Sequence, residues 1–106
     1  MSKKALETLT ESMFYVLMAF SRGEKCGTDV VEYIRHVTGD RIRMGPGTLY
    51  AILGKFEDVE YIQETEVSGR RRTYSLTARG AAAYENELAR LRMCVEDAER
   101  SERDEI

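Results

Sequence analysis

The sequence predicts a mainly α-helical domain with one β-hairpin, an α+β fold, from three observations. Apolar residues recur at helical spacing in four separate segments. Between the third and fourth segments lie two runs rich in β-branched and aromatic residues, separated by Ser68-Gly69. The chain of 106 residues is long enough for one small core and too short for two, so all elements are expected to share one core.

The composition excludes several classes of protein. No stretch approaches the roughly 18 uninterrupted apolar residues of a membrane span. The start, Met1-Ser2-Lys3-Lys4-Ala5, lacks the apolar run of a signal peptide, so we expect a cytoplasmic protein without membrane contact. Cys26 and Cys94 lie far apart and are predicted to be reduced thiols, and the single histidine, His36, excludes metal sites that need two imidazoles.

An enzyme is not expected either. The chain has no Gly-x-Ser-x-Gly motif and no Gly-x-x-x-x-Gly-Lys phosphate loop. Glu64 and Glu66 share a strand face, but two carboxylates on an exposed hairpin are usually solvated. We therefore predict no catalytic residues, no cofactor and no metal.

The first two helices are predicted from apolar runs with helix signals at their ends. The first covers Ser12 to Phe20, with Thr8 or Thr10 as its cap and Gly23 beyond its end. It is apolar nearly all round, so it lies either at the centre of the core or under a second subunit. The second begins near Thr28 and ends at Gly39, with His36 more easily explained as a capping or surface residue than as a ligand.

The third helix has the most specific pattern. Gly45-Pro46-Gly47 places a proline at a first helical position, and Leu49, Ile52, Leu53 and Phe56 form one apolar stripe. A glycine within a helix costs about 1 kcal/mol, so the small exposed face suggests a partner that approaches closely; a bland exposed side or a tight helix crossing would also explain it. That face carries Gly47, Thr48, Tyr50, Ala51, Gly54, Lys55 and Asp58.

A hairpin and a long helix complete the chain. The strands are expected over Tyr61–Val67 and Arg71–Leu76, with Arg70, Arg71 and Arg72 rising from the tip into the second strand. Three helices followed by a hairpin with a basic tip is the order of a winged helix-turn-helix domain, predicted over residues 1–76. A C-terminal dimerisation helix is predicted over residues 77–100, capped by Thr77, and a disordered tail over residues 101–106, with fraying from Glu99.

The last helix carries an apolar seam that needs a partner. Its spacings of 4, 3, 4 and 3 favour a homodimer, although packing against the chain's own first helix remains an alternative. The predicted interface comprises Met13, Phe14, Met18, Tyr84, Leu88, Leu91 and Val95.

The net charge of −3 hides an asymmetry. Residues 81–106 hold four basic and eight acidic side chains, a net −4, which leaves +1 on residues 1–80. Seven positive charges fall within residues 41–80, including the three consecutive arginines. Such a run indicates either a solvated face or a surface that binds phosphates.

These motifs together resemble the PadR family of bacterial transcriptional regulators. The resemblance spans residues 8–95 and depends mainly on two motifs, Pro46-Gly47-Thr48-Leu49-Tyr50 and Gly69-Arg70-Arg71-Arg72-Thr73-Tyr74-Ser75-Leu76-Thr77. It implies a homodimeric winged-helix repressor of the subgroup with one C-terminal helix, released from double-stranded DNA by a small molecule or a stress signal. The family also implies DNA contacts from Tyr15, from the start of the third helix and from the wing.

Three positions depart from the family pattern. Glu60 stands where a glycine usually follows the recognition helix, and Gly54 stands where a bulky polar or basic side chain is common. The chain has no tryptophan, which stacks on drugs at the dimer interface of the best-known ligand-binding members, so any effector here is expected to differ.

The resulting hypothesis is a two-fold symmetric reader of a palindromic operator. The third helix is expected to enter the major groove and the wing to reach phosphates or a narrow minor groove. The predicted DNA-binding residues are Tyr15, Gly47, Thr48, Tyr50, Lys55, Arg70, Arg71 and Arg72. Flexible apolar side chains, among them Met13, Met18, Phe20 and Met93, suggest a pocket for a hydrophobic or phenolic effector, although each also fits a plain core. The alternative function is a winged-helix module for protein–protein contact.

Overall fold

The computed structural model describes residues 8–103 and confirms the α+β fold. The elements in chain order are α1 (Glu11–Phe20), β1 (Lys25–Cys26), α2 (Gly27–Val37), α3 (Pro46–Asp58), β2 (Ile62–Ser68), β3 (Arg71–Leu76) and α4 (Ala78–Glu102). The first three helices form a compact group, the strands form a small sheet beside it, and α4 extends from the end of the sheet.

The core forms because the apolar stripes of the helices face one another and the sheet. Leu49, Ile52, Leu53 and Phe56 of α3 are all buried, as their spacing predicts. On α1 the buried set is Phe14, Val16, Leu17, Ala19 and Phe20, so this helix lies at the centre of the core.

The sheet has one strand more than the sequence predicts. Its order is β1-β3-β2, and both pairings are antiparallel. The extra strand, Lys25–Cys26, pairs with Tyr74 and Thr73 of β3. Two residues carry no period-2 pattern, so sequence reasoning could not find it. Its effect is to join the start of α2 directly to the wing.

The structure decides between the two caps expected for α1 and differs from the expected start of α2. The hydroxyl of Thr10, rather than that of Thr8, accepts the hydrogen bond from the amide of Met13 at 3.1 Å and so caps α1. Cys26 is the N-cap of α2. The carboxylate of Asp29, at the third helical position, accepts a hydrogen bond from the amide of Cys26 at 3.2 Å. The helix therefore begins at Gly27, before the expected start near Thr28.

The start of α4 is attached to the turn that joins α3 to the sheet. The hydroxyl of Thr77 donates to the carbonyl of Glu60 at 2.6 Å and accepts from the amide of Gly80 at 3.0 Å. The amide of Thr77 donates to the carbonyl of Tyr61 at 3.0 Å. A Cβ atom on Gly80 would lie 2.1 Å from that same carbonyl oxygen, so only glycine permits this approach.

The far end of α4 is longer than expected. The helix continues to Glu102, so Glu99 and the following residues up to 102 are helical rather than frayed. Ion pairs between positions three apart, Arg90 with Glu87 and Arg100 with Asp97, lie along its exposed surface and support the helix there. Residues 104–106 of the expected tail, like residues 1–7, lie outside the described residues.

No helix within residues 8–103 combines the length and the apolar character needed to cross a membrane.

Glu60 adopts a backbone conformation that suits glycine. Its φ is +63°, directly after α3, and its amide donates to the carbonyl of Glu57 while Tyr61 donates to that of Phe56. The left-handed conformation costs a residue with a Cβ about 1–2 kcal/mol. The glycine that the family pattern has here is thus replaced without any change in the turn itself.

We predict that Glu60→Gly raises the free energy of unfolding by about 0.5–1 kcal/mol, because the relief of strain exceeds the extra entropy that glycine loses on folding. Chemical denaturation checks this. Glu60→Ala is the matched control, since it removes the same side chain and keeps the Cβ. A Glu60→Gly variant no more stable than Glu60→Ala would contradict the explanation.

Candidate nucleic-acid interface

The face of α3 that carries its small side chains is exposed. Tyr50 is 67% exposed, and Gly47, Thr48, Ala51 and Lys55 are exposed with it. A Cβ atom added at Gly47 or Gly54 would meet nothing within 4 Å. A tight helix crossing within the chain is therefore wrong as an explanation of Gly54. The small side chains leave the helix surface open to a partner.

A groove separates this helix from the wing, which is the β2–β3 hairpin. It has a volume of about 610 Å³. Tyr50, Leu53, Gly54 and Glu57 of α3 line one side, and the start of α2 lines its end. On the other side are Arg70, Arg71, Arg72 and Tyr74. The structure thus brings the arginine run and the Tyr50 flank of α3 to one concave surface.

Four of the predicted DNA-binding residues, Tyr15, Gly47, Thr48 and Lys55, do not line this groove. Thr48 and Lys55 are exposed, but neither lines it. At 3.6 residues per turn they lie roughly 140–160° around the helix axis from Tyr50. The predicted residues of α3 therefore occupy the two flanks of one exposed face, with Gly47, Ala51 and Gly54 between them.

The arginines of the wing differ in their partners. Arg71 lies 3.7 Å from the carboxylate of Asp29, and Arg72 lies 3.6 Å from that of Glu64. Arg70, in the turn at the tip, has no carboxylate within 4 Å among residues 8–103. Exposed pairs of this kind are weak, about 0–1 kcal/mol, so they orient the guanidinium groups without preventing exchange for a phosphate.

Asp29 connects the wing to α2. Its carboxylate accepts hydrogen bonds from the thiol and the amide of Cys26, both at 3.2 Å, and faces Arg71. The hydrogen bonds from Cys26, and then the charges of Arg71 and Lys25, lower the pKa of Asp29 below its usual value. The carboxylate of Asp29 therefore stays ionised at neutral pH, so it both accepts the hydrogen bonds from Cys26 and pairs with Arg71.

Tyr74 forms part of the groove floor. Burial raises the pKa of its phenol, and the carboxylate of Glu57 adds to the effect.

The charge of the groove is uneven. Its rim is positive because it carries Arg70, Arg71 and Arg72, and its lining includes one acidic residue, Glu57, on the side of α3. The groove is therefore not uniformly basic.

Tyr15 is held by an arginine that sequence reasoning did not assign to the site. A guanidinium nitrogen of Arg41 donates to the phenol oxygen of Tyr15 at 3.0 Å, and the guanidinium carbon lies 5.9 Å from the ring centre. Arg41 belongs to the loop between α2 and α3. Because 26 positions separate the two residues, no local pattern signals the contact.

Cys26, Thr28, Asp29, Glu57 and Tyr74 were missed for a similar reason. Cys26 and Thr28 reach the groove, and Asp29 reaches Arg71, through the pairing of β1 with β3 and the position of α2. Glu57 and Tyr74 line the groove because α3 and the wing face each other, which is also a long-range feature. The one usable signal was the acidic residue at the third position of α2, which predicts a capping role but not a contact with the wing.

The predicted dimer residues divide into two groups. Phe14 is buried within its own chain, where its ring stacks on Tyr84 at 5.4 Å between ring centres. The start of α4 thus packs on α1, which was the alternative to a dimer for that part of the seam. Met13, Met18, Leu88 and Leu91 are half-buried, and Val95 is 58% exposed. Among residues 8–103, nothing covers the outer end of the seam at Val95.

Two of the side chains suggested for an effector pocket lie elsewhere. Phe20 is 2% exposed and belongs to the core. Met93 is 57% exposed and, at 100° per residue, lies about 160° around α4 from Leu91. An open cavity of about 770 Å³ does exist beside the seam, between α1, α2 and α4. Its lining is mixed: the apolar and aromatic side chains are Met18, Tyr33, Val37, Tyr84 and Leu88, and the polar or charged ones are Ser21, Arg22, His36, Glu85 and Arg92.

Within residues 8–103 no three His, Cys, Asp or Glu side chains are placed to hold a metal ion. Cys26 is buried and Cys94 exposed, and both are free thiols.

Comparison with known proteins gives one relative of known sequence and several solved structures. The relative is an uncharacterized 37.1 kDa protein in transposon TN4556 of Streptomyces fradiae. It is 33% identical over an alignment of 84 residues that covers 76% of this chain and 24% of that protein. The chain thus spans about a quarter of the length of this relative.

Two solved structures share the fold. A transcriptional regulator from Clostridium thermocellum superposes with a TM-score of 0.74 at 21% identity, covering 83% of this chain and 89% of that one. Bacillus subtilis PadR in complex with operator DNA gives a TM-score of 0.65 at 22% identity, covering 74% of this chain and 48% of that one.

The model of the transcriptional regulator PadR-like family matches residues 16–86, which include α2, α3, both strands of the wing and the second half of α1. This family consists of transcriptional regulators rather than enzymes. The match covers about two thirds of the sequence, so the chain belongs to the PadR-like family of transcriptional regulators.

Proposed function

We propose that this chain is a homodimeric, sequence-specific DNA-binding repressor. The observation that carries the proposal is the groove in which Tyr50 and Gly54 of α3 face Arg70, Arg71 and Arg72 of the wing. A helix with an open, small-residue face fits the major groove of DNA, and guanidinium groups set beside it fit the flanking backbone. Bacillus subtilis PadR, whose fold this chain shares, has been solved with operator DNA.

The start of α3 supports the same orientation. Its N-cap is Gly45, which has no side chain to cap the helix, and Pro46 has no amide hydrogen. The next amides belong to Gly47 and Thr48, which are exposed. Open amides at the positive end of a helix favour a phosphate group. Thr48 and Lys55 add contacts on the flank away from the wing.

Two copies of the chain are proposed to join through α4. The helix of 25 residues is about 37 Å long, and only its beginning packs on its own domain. Leu88, Leu91 and Val95 continue the seam beyond that contact, so a second copy of the same helix would cover them. Two-fold symmetry then implies a palindromic operator with half-sites about 34 Å apart, one helical turn.

The second candidate function, a protein–protein module without DNA binding, is favoured by the net charge of −3 and by the few long side chains on α3. The two functions are separated by a binding measurement on the DNA upstream of the chain's own gene, with and without competitor DNA. A retarded complex that survives competitor supports the repressor. No complex even at low salt would favour the protein–protein module.

In the same assay we predict that Arg70→Ala lowers the slope of log K against log salt by about 0.9, the value for one lost phosphate contact. Arg71→Ala should also weaken binding and flatten the slope, but less, because Asp29 already offsets part of its charge. Arg100→Ala, on the outer part of α4 and paired with Asp97, is the control. Unchanged slopes for both wing variants would refute the wing contact.

For the dimer we predict that Leu91→Glu converts the protein to a monomer at micromolar concentration, since the interface would have to bury an unpaired charge. Sedimentation equilibrium measures the state. Ala89→Glu places the same charge on the opposite, exposed side of α4 and should leave the dimer intact. Dimers of equal stability in both variants would place the interface elsewhere.

An effector is proposed for the cavity between α1, α2 and α4, because a ligand there would lie beside the seam and could change the distance between the two recognition helices. We predict that at least one compound in a panel of hydrophobic and phenolic molecules releases the DNA complex, and that Leu88→Ala weakens its effect. If no compound releases the complex, this regulatory input is absent.

A further inference from the structure

Three arginines lie in or beside the loop between α2 and α3. Two of them lie near a negatively charged carboxylate, and the third contacts a neutral tyrosine. Arg35 lies 3.0 Å from the carboxylate of Asp40, and Arg43 lies 4.0 Å from the same group. Arg41 is bound instead to the phenol and ring of Tyr15. It forms no ion pair with a carboxylate in the part of the chain that the structure describes.

A neutral partner has a different effect on a guanidinium than a carboxylate does. An ion pair orients the group but offsets its charge, and the pair must be broken or shared before a second anion binds. The phenol oxygen occupies one N–H donor and the ring attracts the cation, so the group is held while its full charge remains. Tyr15 thereby reduces the side-chain entropy that Arg41 would lose on meeting an anion.

The position of Arg41 relative to α3 suggests which anion this is. Arg41 is five positions before Pro46, the first residue of α3, so the two are at most about 18 Å apart. The major groove is about 12 Å wide, and phosphates line both of its edges. When the start of α3 lies in the groove, a basic side chain at this distance falls near the backbone at its edge.

We propose that Arg41 contacts a DNA phosphate and that Tyr15 is its positioning residue. The proposal rests on the DNA-binding function proposed above and reassigns Tyr15, which supports the contact through Arg41 and need not touch the DNA itself. Arg41 and Arg70 then form two basic contacts that are not offset by a carboxylate, one on the loop that leads into the recognition helix and one at the tip of the wing.

The test uses the full chain and a fluorescein-labelled 30-base-pair duplex of mixed sequence, with fluorescence anisotropy measured across a range of sodium chloride concentrations. Arg41→Gln should weaken binding about tenfold and lower the magnitude of the salt slope by about 0.9. Arg41→Lys keeps the charge and should restore the slope without the full affinity. Tyr15→Phe keeps the ring and loses the phenol oxygen, so binding should weaken about threefold with the slope unchanged.

Arg43→Gln is the matched control, because it removes a charge from the same loop that Asp40 already offsets. A slope change for Arg41→Gln no larger than that for Arg43→Gln would overturn the phosphate contact. Wild-type affinity in Tyr15→Phe would overturn the positioning role. Thermal melting checks that each variant is folded. If Arg41→Gln does not fold, Arg41→Lys tests the contact instead, through a salt slope equal to that of the wild type and a lower affinity.

These failures differ from a failure of the proposed function. If the wild-type chain binds the duplex with a salt-dependent affinity, but the Arg41 variants change the salt slope no more than Arg43→Gln does, the DNA-binding proposal stands and this inference is wrong. If the wild-type chain binds neither this duplex nor the DNA upstream of its own gene at low salt, both proposals are wrong.

Discussion

The arrangement of the molecule depends on the close approach between the first turn of α4 and the turn that follows α3. Gly80 leaves room for the carbonyl of Tyr61, and Thr77 binds the carbonyl of Glu60 while capping α4. Glu60 follows the end of α3, and Tyr61 leads into the wing. One junction therefore fixes the relative positions of α3, the β2–β3 hairpin and α4, and with them the width of the groove between helix and wing.

This junction also connects the proposed DNA surface to the proposed dimer surface, and α1 provides a second connection. Phe14 stacks on Tyr84 of α4, while the next residue, Tyr15, holds Arg41 in the loop before α3. A shift of α4 relative to α1 would therefore displace that loop through Phe14 and Tyr15, which are adjacent on α1. The cavity between α1, α2 and α4 lies at this contact, which gives an effector there a short physical route to the recognition helix.

Sequence reasoning identified the elements well because their signals are local. The stripe of α3, the proline at its start and the glycine turn of the hairpin each depend on residues within a few positions of one another. The contacts that shape the site are different, because they depend on how elements meet. Asp29 and Arg71 are 42 positions apart, Tyr15 and Arg41 are 26 apart, and the two-residue strand Lys25–Cys26 is too short to carry a pattern.

Glu60 marks the limit of reasoning from residue type. A glycine would have predicted the left-handed turn, and a glutamate suggests that the end of the helix shifts. The turn is nevertheless retained, because Thr77 binds the Glu60 carbonyl and the amide of Tyr61 finds the Phe56 carbonyl. One tertiary hydrogen bond, from Thr77, and one local hydrogen bond at the end of α3 hold Glu60 in a conformation that is unfavourable for its residue type.

The distribution of carboxylates explains how an acidic chain can serve as a regulator that binds DNA. Asp29, Asp40 and Glu64 each lie beside an arginine on or near the proposed interface, so much of the positive charge there is already offset. Non-specific attraction to phosphate, which grows with the number of free cations, is thereby kept low. Affinity would then depend on the few cations without an acidic partner and on how closely the small-residue face of α3 fits the groove. In such an interface the shape of the DNA matters more than its charge, since every duplex offers the same phosphates and only some sequences offer the right fit.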